Sequence, residues 1–231
     1  MLKYLLLAVL VAALGAVDAP PRSQPQGEPR NQLRNARDVL WESNAIFLDG
    51  SLSVQQEVSR LIGLLAREVA SPSPPPTGRG VGSCTSEYVQ SHIIIRFRFL
   101  PAPGLLHAIK AATPAHCSPS LRQLIAVARG MAGDKSAVPE VIAVLESHPS
   151  GYIREVAAHA LGNIGDPAAV PALEKALSDR FTVTRWEGPM LDKYPVIYTV
   201  RREAAMALSR MGFQIRHLDF NAWEVVGPPP G

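Results

Sequence analysis

One unit of this chain repeats, and a repeat of this kind leaves few folds open. The segment from Tyr152 to Asp179, YIREVAAHALGNIGDPAAVPALEKALSD, carries two apolar stripes. Ile153, Val156, Ala157, Ala160, Leu161 and Ile164 fall at the three-and-four spacing of one helical face, and Val170, Leu173, Ala176 and Leu177 take up that spacing again. Between them Gly165-Asp166-Pro167 supplies a stop and a start. Gly165 suits the left-handed backbone that ends a helix, Asp166 can cap the free N–H groups of the next, and Pro167 suits a first position where no donor is lost. Moved back by 32 residues, the unit lands on SLRQLIAVARGMAGDKSAVPEVIAVL, with Arg122 under Arg154, Gly130 under Gly162, Gly133-Asp134 under Gly165-Asp166 and Val138-Pro139 under Val170-Pro171. Moved forward by 47, its first helix returns in TVRREAAMALSRMG, with Arg201, Ala204, Ala207, Leu208 and Gly212 under Arg154, Ala157, Ala160, Leu161 and Gly165. A helical hairpin that cannot bury its stripe alone, recurring at such a period, predicts an all-α fold in which hairpins stack as an α-solenoid. The second spacing exceeds the first by 15 residues, which therefore form an insertion.

The pattern (V/I)R-x-x-A-A-x-A-L-G-x-I-G-D-P-x-A-V-P-x-L resembles the HEAT-like repeat, particularly the short form named after phycobilisome lyases. The resemblance holds over residues 120 to 212 and is absent before residue 84. It implies a solenoid and a binding surface rather than an active site.

Residues 1–19 read as an export signal, with Lys3 as a short positive start and an unbroken apolar run from Tyr4 to Leu14 before small residues. That run is short for a membrane span, although an uncleaved anchor is the competing reading. A signal predicts a periplasmic or secreted protein with no stable membrane span once it is removed. Residues 20–30, rich in Pro, Gln and Arg, read as a disordered leader. The formal net charge of +3 is no footprint for nucleic acid.

Residues 31–70 predict an N-terminal helical hairpin turning at Asp49-Gly50, with Ser53 and Gln56 as a capping box, placed to cover the open end of the array. Residues 71–83 are a Pro-rich linker. Residues 84–118 are ambiguous. The run EYVQSHIIIRFRFLP alternates like a strand, with Ile93, Ile95, Phe97 and Phe99 opposite Arg96 and Arg98, yet Val89, Ile93, Phe97 and Leu100 also make a helical stripe. The repeat register favours the helix, so this stretch is expected to be a degenerate repeat. Cys84 and Cys117 flank it and, in an exported chain, are expected to form a disulfide worth about 3–4 kcal/mol in the chain-entropy model. A metal site using the nearby His92, His107 and His116 is the alternative, without zinc-finger spacing to support it.

The HEAT-like repeats are expected over 119–217, interrupted by the insertion at 180–198, with 218–231 as a C-terminal tail whose Phe220 and Trp223 could fold over the last repeat. The insertion, RFTVTRWEGPMLDKYPVIY, alternates at both ends and breaks in the middle, which predicts a small β-hairpin. Arg185, Trp186, Lys193, Tyr194 and Tyr198 are its candidate binding residues, since aromatic residues and arginine are enriched at binding hot spots. The bland alternative is that these aromatics pack the hairpin onto the helices. Arg122, Arg154 and Arg201 recur at one repeat position and are expected to form a structural ladder with Asp134, Asp166 or Asp179. A basic stripe for an acidic partner is the other reading of the three arginines.

No catalytic constellation, glycine-rich phosphate loop or cofactor motif is present in the sequence, so no enzyme activity and no cofactor are expected. His159 reads as an edge residue of its helix rather than a base. The function these features favour is a non-catalytic scaffold that binds another protein through the solenoid surface and the inserted aromatic hairpin. A lyase-like accessory role, as in the bilin lyases that share the repeat, and a structural envelope component are the alternatives.

Overall fold

The structure, a computed structural model, describes residues 35–73, 85–101, 103–184, 196–219 and 222–227, all within one unit that spans Leu33–Gly231. The segments expected to be an export signal and a leader, and most of the expected linker, lie outside the described residues.

Two helices open the unit, α1 (Ala36–Leu48) and α2 (Val54–Ala70). Each starts at a reciprocal capping box, Asn35 with Asp38 and Ser53 with Gln56, so the first N–H groups and the cap's own N–H are satisfied locally. The ambiguous stretch is helical: α3 spans Ser86–Arg96 and tightens into a 3-10 turn at Phe97–Phe99. Its β-branched residues do not make it a strand, because Val89, Ile93, Ile94 and Phe97 are all fully buried and tertiary packing overrides local preference. Arg96, which the strand reading would place on a polar face, is buried as well. It donates to Asn44 and lies 5.1 Å from the centre of the Phe47 ring, and burial lowers its pKa to about 10. Helix α4 (Leu105–Ala112) follows.

The repeats then run as α5 (Pro119–Met131) with α6 (Val138–Ser147), and α7 (Gly151–Ile164) with α8 (Val170–Ala176). Gly133 and Gly165 take positive φ at +79° and +66°, ending the first helix of each pair where L-residues would be strained. Asp134 and Asp166 each accept from the N–H two residues on, at 3.0 and 2.9 Å. The chain then makes a 3-10 turn, Lys135–Ala137 or Pro167–Ala169, before the second helix begins. Helix α9 (Thr199–Arg210) is the first helix of a third unit.

Helices α5, α7 and α9 stack side by side as one layer, and α6 and α8 pack on them as a second, which is an all-α, solenoid-like arrangement. Close approach explains the recurrent helical glycines. A Cβ at Gly130 would stand 3.0 Å from that of Ala160, and one at Gly162 would stand 2.7 Å from Ala207 and 2.6 Å from the Arg210 guanidinium. Helix α3 departs from a strict array: it packs on α1, α2 and α5, and reaches past α5 to α7. Helix α7 is consequently enclosed on most sides, which is why ten of its residues, from Gly151 to Ile164, are buried.

Two short antiparallel pairings complete the fold. In the insertion, β1 (Val183–Thr184) pairs with β2 (Val196–Ile197). At the end of the chain β3 (Gln214–Asp219) pairs with β4 (Ala222–Gly227), and Ile215 and Val225 turn inward where a second helix of the last repeat would lie. The boundary expected at residue 218 falls inside β3.

Candidate functional site

The foot of the insertion is where the polar side chains of the repeats converge. Helix α8 ends and the chain leaves the array at Asp179, whose carboxylate takes two bonds from Arg154 of α7, Nε to Oδ2 at 2.8 Å and Nη2 to Oδ1 at 3.0 Å. The same guanidinium donates through Nη1 to the carbonyls of His148 and Pro149, at 2.8 and 3.0 Å, where α6 ends. A helix leaves its last carbonyls without partners, and Arg154 satisfies them from the next helix. Arg201 does the corresponding work one repeat on, donating from Nε to the Asp179 carbonyl at 2.5 Å. Burial alone would raise the Asp179 pKa, but the Arg154 bonds, the Phe181 N–H and the charges of Arg154 and Arg201 hold it below the ordinary value.

From this anchor the chain turns so that Phe181 N–H bonds Asp179 Oδ1 at 2.8 Å. The Phe181 ring sits over Gly151, so close that a Cβ there would fall 1.9 Å from it. Edge contacts continue from Phe181 to Tyr152, with ring centres 4.9 Å apart, and from Tyr152 to Tyr88 of α3 at 5.1 Å. The Phe181 and Tyr152 rings border an open cavity of about 510 Å³ that also takes in Glu87, Gln90, Ser120 and His148. On the other leg of the insertion, the Tyr198 ring lies 3.9 Å from the Arg201 guanidinium carbon, a cation–π contact at the N-cap of α9.

The predicted arginine ladder is thus partly assembled. Arg154 and Arg201 meet at Asp179, whereas Arg122 is exposed and lines a separate cavity of about 440 Å³ with Lys110, Cys117 and Glu140. Asp134 is held by Arg129 at 2.9 Å rather than by Arg122, and Asp166 serves its own helix start. Register accounts for the difference: the residue 32 positions before Asp179 is Ser147, so Arg122 has no equivalent carboxylate. Of the candidate binding residues, Tyr198 is half-buried against α9, while Arg185, Trp186, Lys193 and Tyr194 lie outside the described residues. Cys117 carries a free thiol and Cys84 lies outside the described residues. Among the described residues no group of three or more His, Cys, Asp or Glu side chains is placed to hold a metal ion.

His159 is not at an edge. It is buried, and its Nδ1 lies 2.8 Å from Glu203 Oε2 of α9. Glu155, one turn earlier, lies 3.8 Å from Arg202. The i, i+4 pair of polar residues among alanines was the available sequence signal, and its partners on α9 are 44 and 47 positions away.

Residues 104–187 match the family model of HEAT repeats, which supports a HEAT-like repeat family. The match begins at the turn into α4 and ends inside the insertion, so α3 and α9 fall outside it. No curated protein matches the chain. HEAT repeats generally serve as protein-interaction scaffolds and are typically non-catalytic. Among the described residues no helix is long and apolar enough to cross a membrane.

Proposed function

We propose that this chain is a non-catalytic scaffold, exported to the periplasm or secreted, that binds another protein through its solenoid surface and above all through the inserted segment at 180–198. The observation that carries this reading is the rooting of the insertion. Asp179, Phe181, Tyr198 and Arg201 fasten both legs to α7 and α9, beside an aromatic-bordered cavity that a partner segment can enter. Legs held this firmly leave less entropy to be lost there on binding. Export also sets Cys117 in an oxidising compartment, where pairing with Cys84 would tie the start of α3 to that of α5. Thr85 and Ser120, close to the two cysteines in sequence, line one cavity.

Affinity capture from the periplasmic or secreted fraction, using the full chain and a variant lacking residues 182–197, tests the reading. The full chain is expected to retain a partner that the variant loses. Recovery of the same partners by both would show that the insertion is not the binding element.

A further inference from the structure

The cavity of about 440 Å³ is walled by α4, α5 and α6, and its charged groups do not balance. Lys110 comes from α4, Arg122 and Arg129 from one face of α5, and Glu140 from the first turn of α6. Asp134, in the turn between α5 and α6, is the other acid within reach, so three cations face two carboxylates. The Asp134 carboxylate is already filled. Its Oδ2 accepts from Arg129 Nε at 2.9 Å, and its Oδ1 accepts from the Ser136 N–H and hydroxyl at 3.0 and 2.7 Å. Lys110 stands 3.8 Å from Asp134, and Glu140 stands 3.9 Å from Arg129 Nη1, both beyond hydrogen-bond distance. Arg129 is therefore taken by the chain itself. Among the described residues no carboxylate lies within ion-pair distance of Arg122, and no hydrogen bond takes up the Lys110 ammonium.

The next repeat shows what an arginine at this position holds. Arg154 takes the Asp179 carboxylate through two parallel bonds, whereas the residue in register with Asp179 is here Ser147. No acid stands in the first turn of α5 to replace it. Arg122 is exposed, so its planar fork is open to a carboxylate that the chain does not supply. Ile125, which is buried, and Pro114 give the cavity an apolar part that suits the methylene stem of an acidic side chain. We propose that this cavity is a docking pocket for an acidic side chain of a partner protein, its carboxylate received by Arg122, with Lys110 adding positive charge from the α4 wall. Glu140 opposes the guest by like charge and keeps the pocket's affinity modest. The pocket rests on the reading of the chain as a protein-binding scaffold. It gives the partner's chemistry at a place other than the insertion, which is rooted on α7 and α9.

Fluorescence anisotropy of a labelled octaglutamate peptide on the full chain, at low ionic strength, tests the pocket without the natural partner. Saturable binding of octaglutamate and none of octaglutamine is expected. Arg122→Ala is expected to weaken the peptide about threefold to tenfold, and Lys110→Ala by a smaller factor. Glu140→Gln removes the opposing charge and is expected to tighten binding about twofold. All three positions are exposed, so the variants keep the fold. Arg37→Ala, an exposed change of equal charge on α1, is expected to leave binding as it is. No binding of octaglutamate, equal binding of octaglutamine, or an equal loss in Arg37→Ala overturns the proposal. Displacement of the peptide by inorganic phosphate at an equal concentration also overturns it, because that marks a site for free anions. The scaffold reading fails separately: octaglutamate binding that survives deletion of residues 182–197 and is weakened by Arg122→Ala upholds the pocket whatever the insertion does.

Discussion

The joint between the first two hairpins and the joint between the second and third differ, although an arginine stands at one repeat position beside both. At the first, α6 passes to α7 through His148–Ser150, Ser147 closes the second helix, and Arg122 of the preceding helix is exposed. At the second, Asp179 closes the second helix, Arg154 grips it through two bonds, and the chain leaves the array before returning as α9. The arginine's common duty is to the carbonyls at the end of the preceding hairpin, as Arg154 shows at His148 and Arg201 at Asp179. One changed residue, serine to aspartate, turns that duty into a socket from which an extra segment can be built.

The strongest way to break this comparison is to empty the socket. Arg154→Ala strands the half-buried Asp179 carboxylate and two helix-end carbonyls, and is expected to cost about 2–4 kcal/mol in denaturant unfolding. An unchanged midpoint would mean that Asp179 is not an anchor. Gly162→Val is expected to follow at about 1–3 kcal/mol, because its side chain would collide with Ala207 and separate α7 from α9. The same change at Ser209, its exposed counterpart one repeat on, should be close to neutral, and equal costs at the two sites would disprove close packing at Gly162. Smallest of all, Arg122→Ala should move stability by no more than about 0.5 kcal/mol, since the residue is exposed. A larger loss would restore the continuous ladder.

The helical hairpins were legible in the sequence because their punctuation is chemical. Gly165 takes the left-handed backbone and Asp166 caps the next turn, each by a local rule that needs no knowledge of the rest of the chain. Where the outcome depends on contacts distant in sequence, the reading loses ground. Helix α3 is apolar on several sides because it meets several helices, so it has no clear period and its β-branched run imitates a strand. Strand β3 alternates over only a few residues before its partner begins, and a short alternation is hard to separate from a loop. The ladder was legible only in part for a different reason: Asp179 stood among its three candidate acids and is the partner of Arg154, whereas Asp134 and Asp166 serve turns of their own. At the site, Arg154, Asp179 and Arg201 could be named from the repeat and Tyr198 from the aromatics of the insertion, whereas Phe181 over Gly151 and the contacts of Glu155 depend on how α7, α8 and α9 meet.

The reach of α3 from α1 across α5 to α7 also bears on how the molecule comes apart. A strictly linear array melts like a row of coupled dominoes, each unit feeling only its neighbours and the ends fraying first. Here a single helix ties the N-terminal hairpin to the second repeat as well as the first, so neither can detach without exposing Val89, Ile93 and Phe97. The array is closed into one cooperative block from α1 to α7, and stepwise unravelling is confined to what lies beyond it, α8, the last helix and its terminal strands.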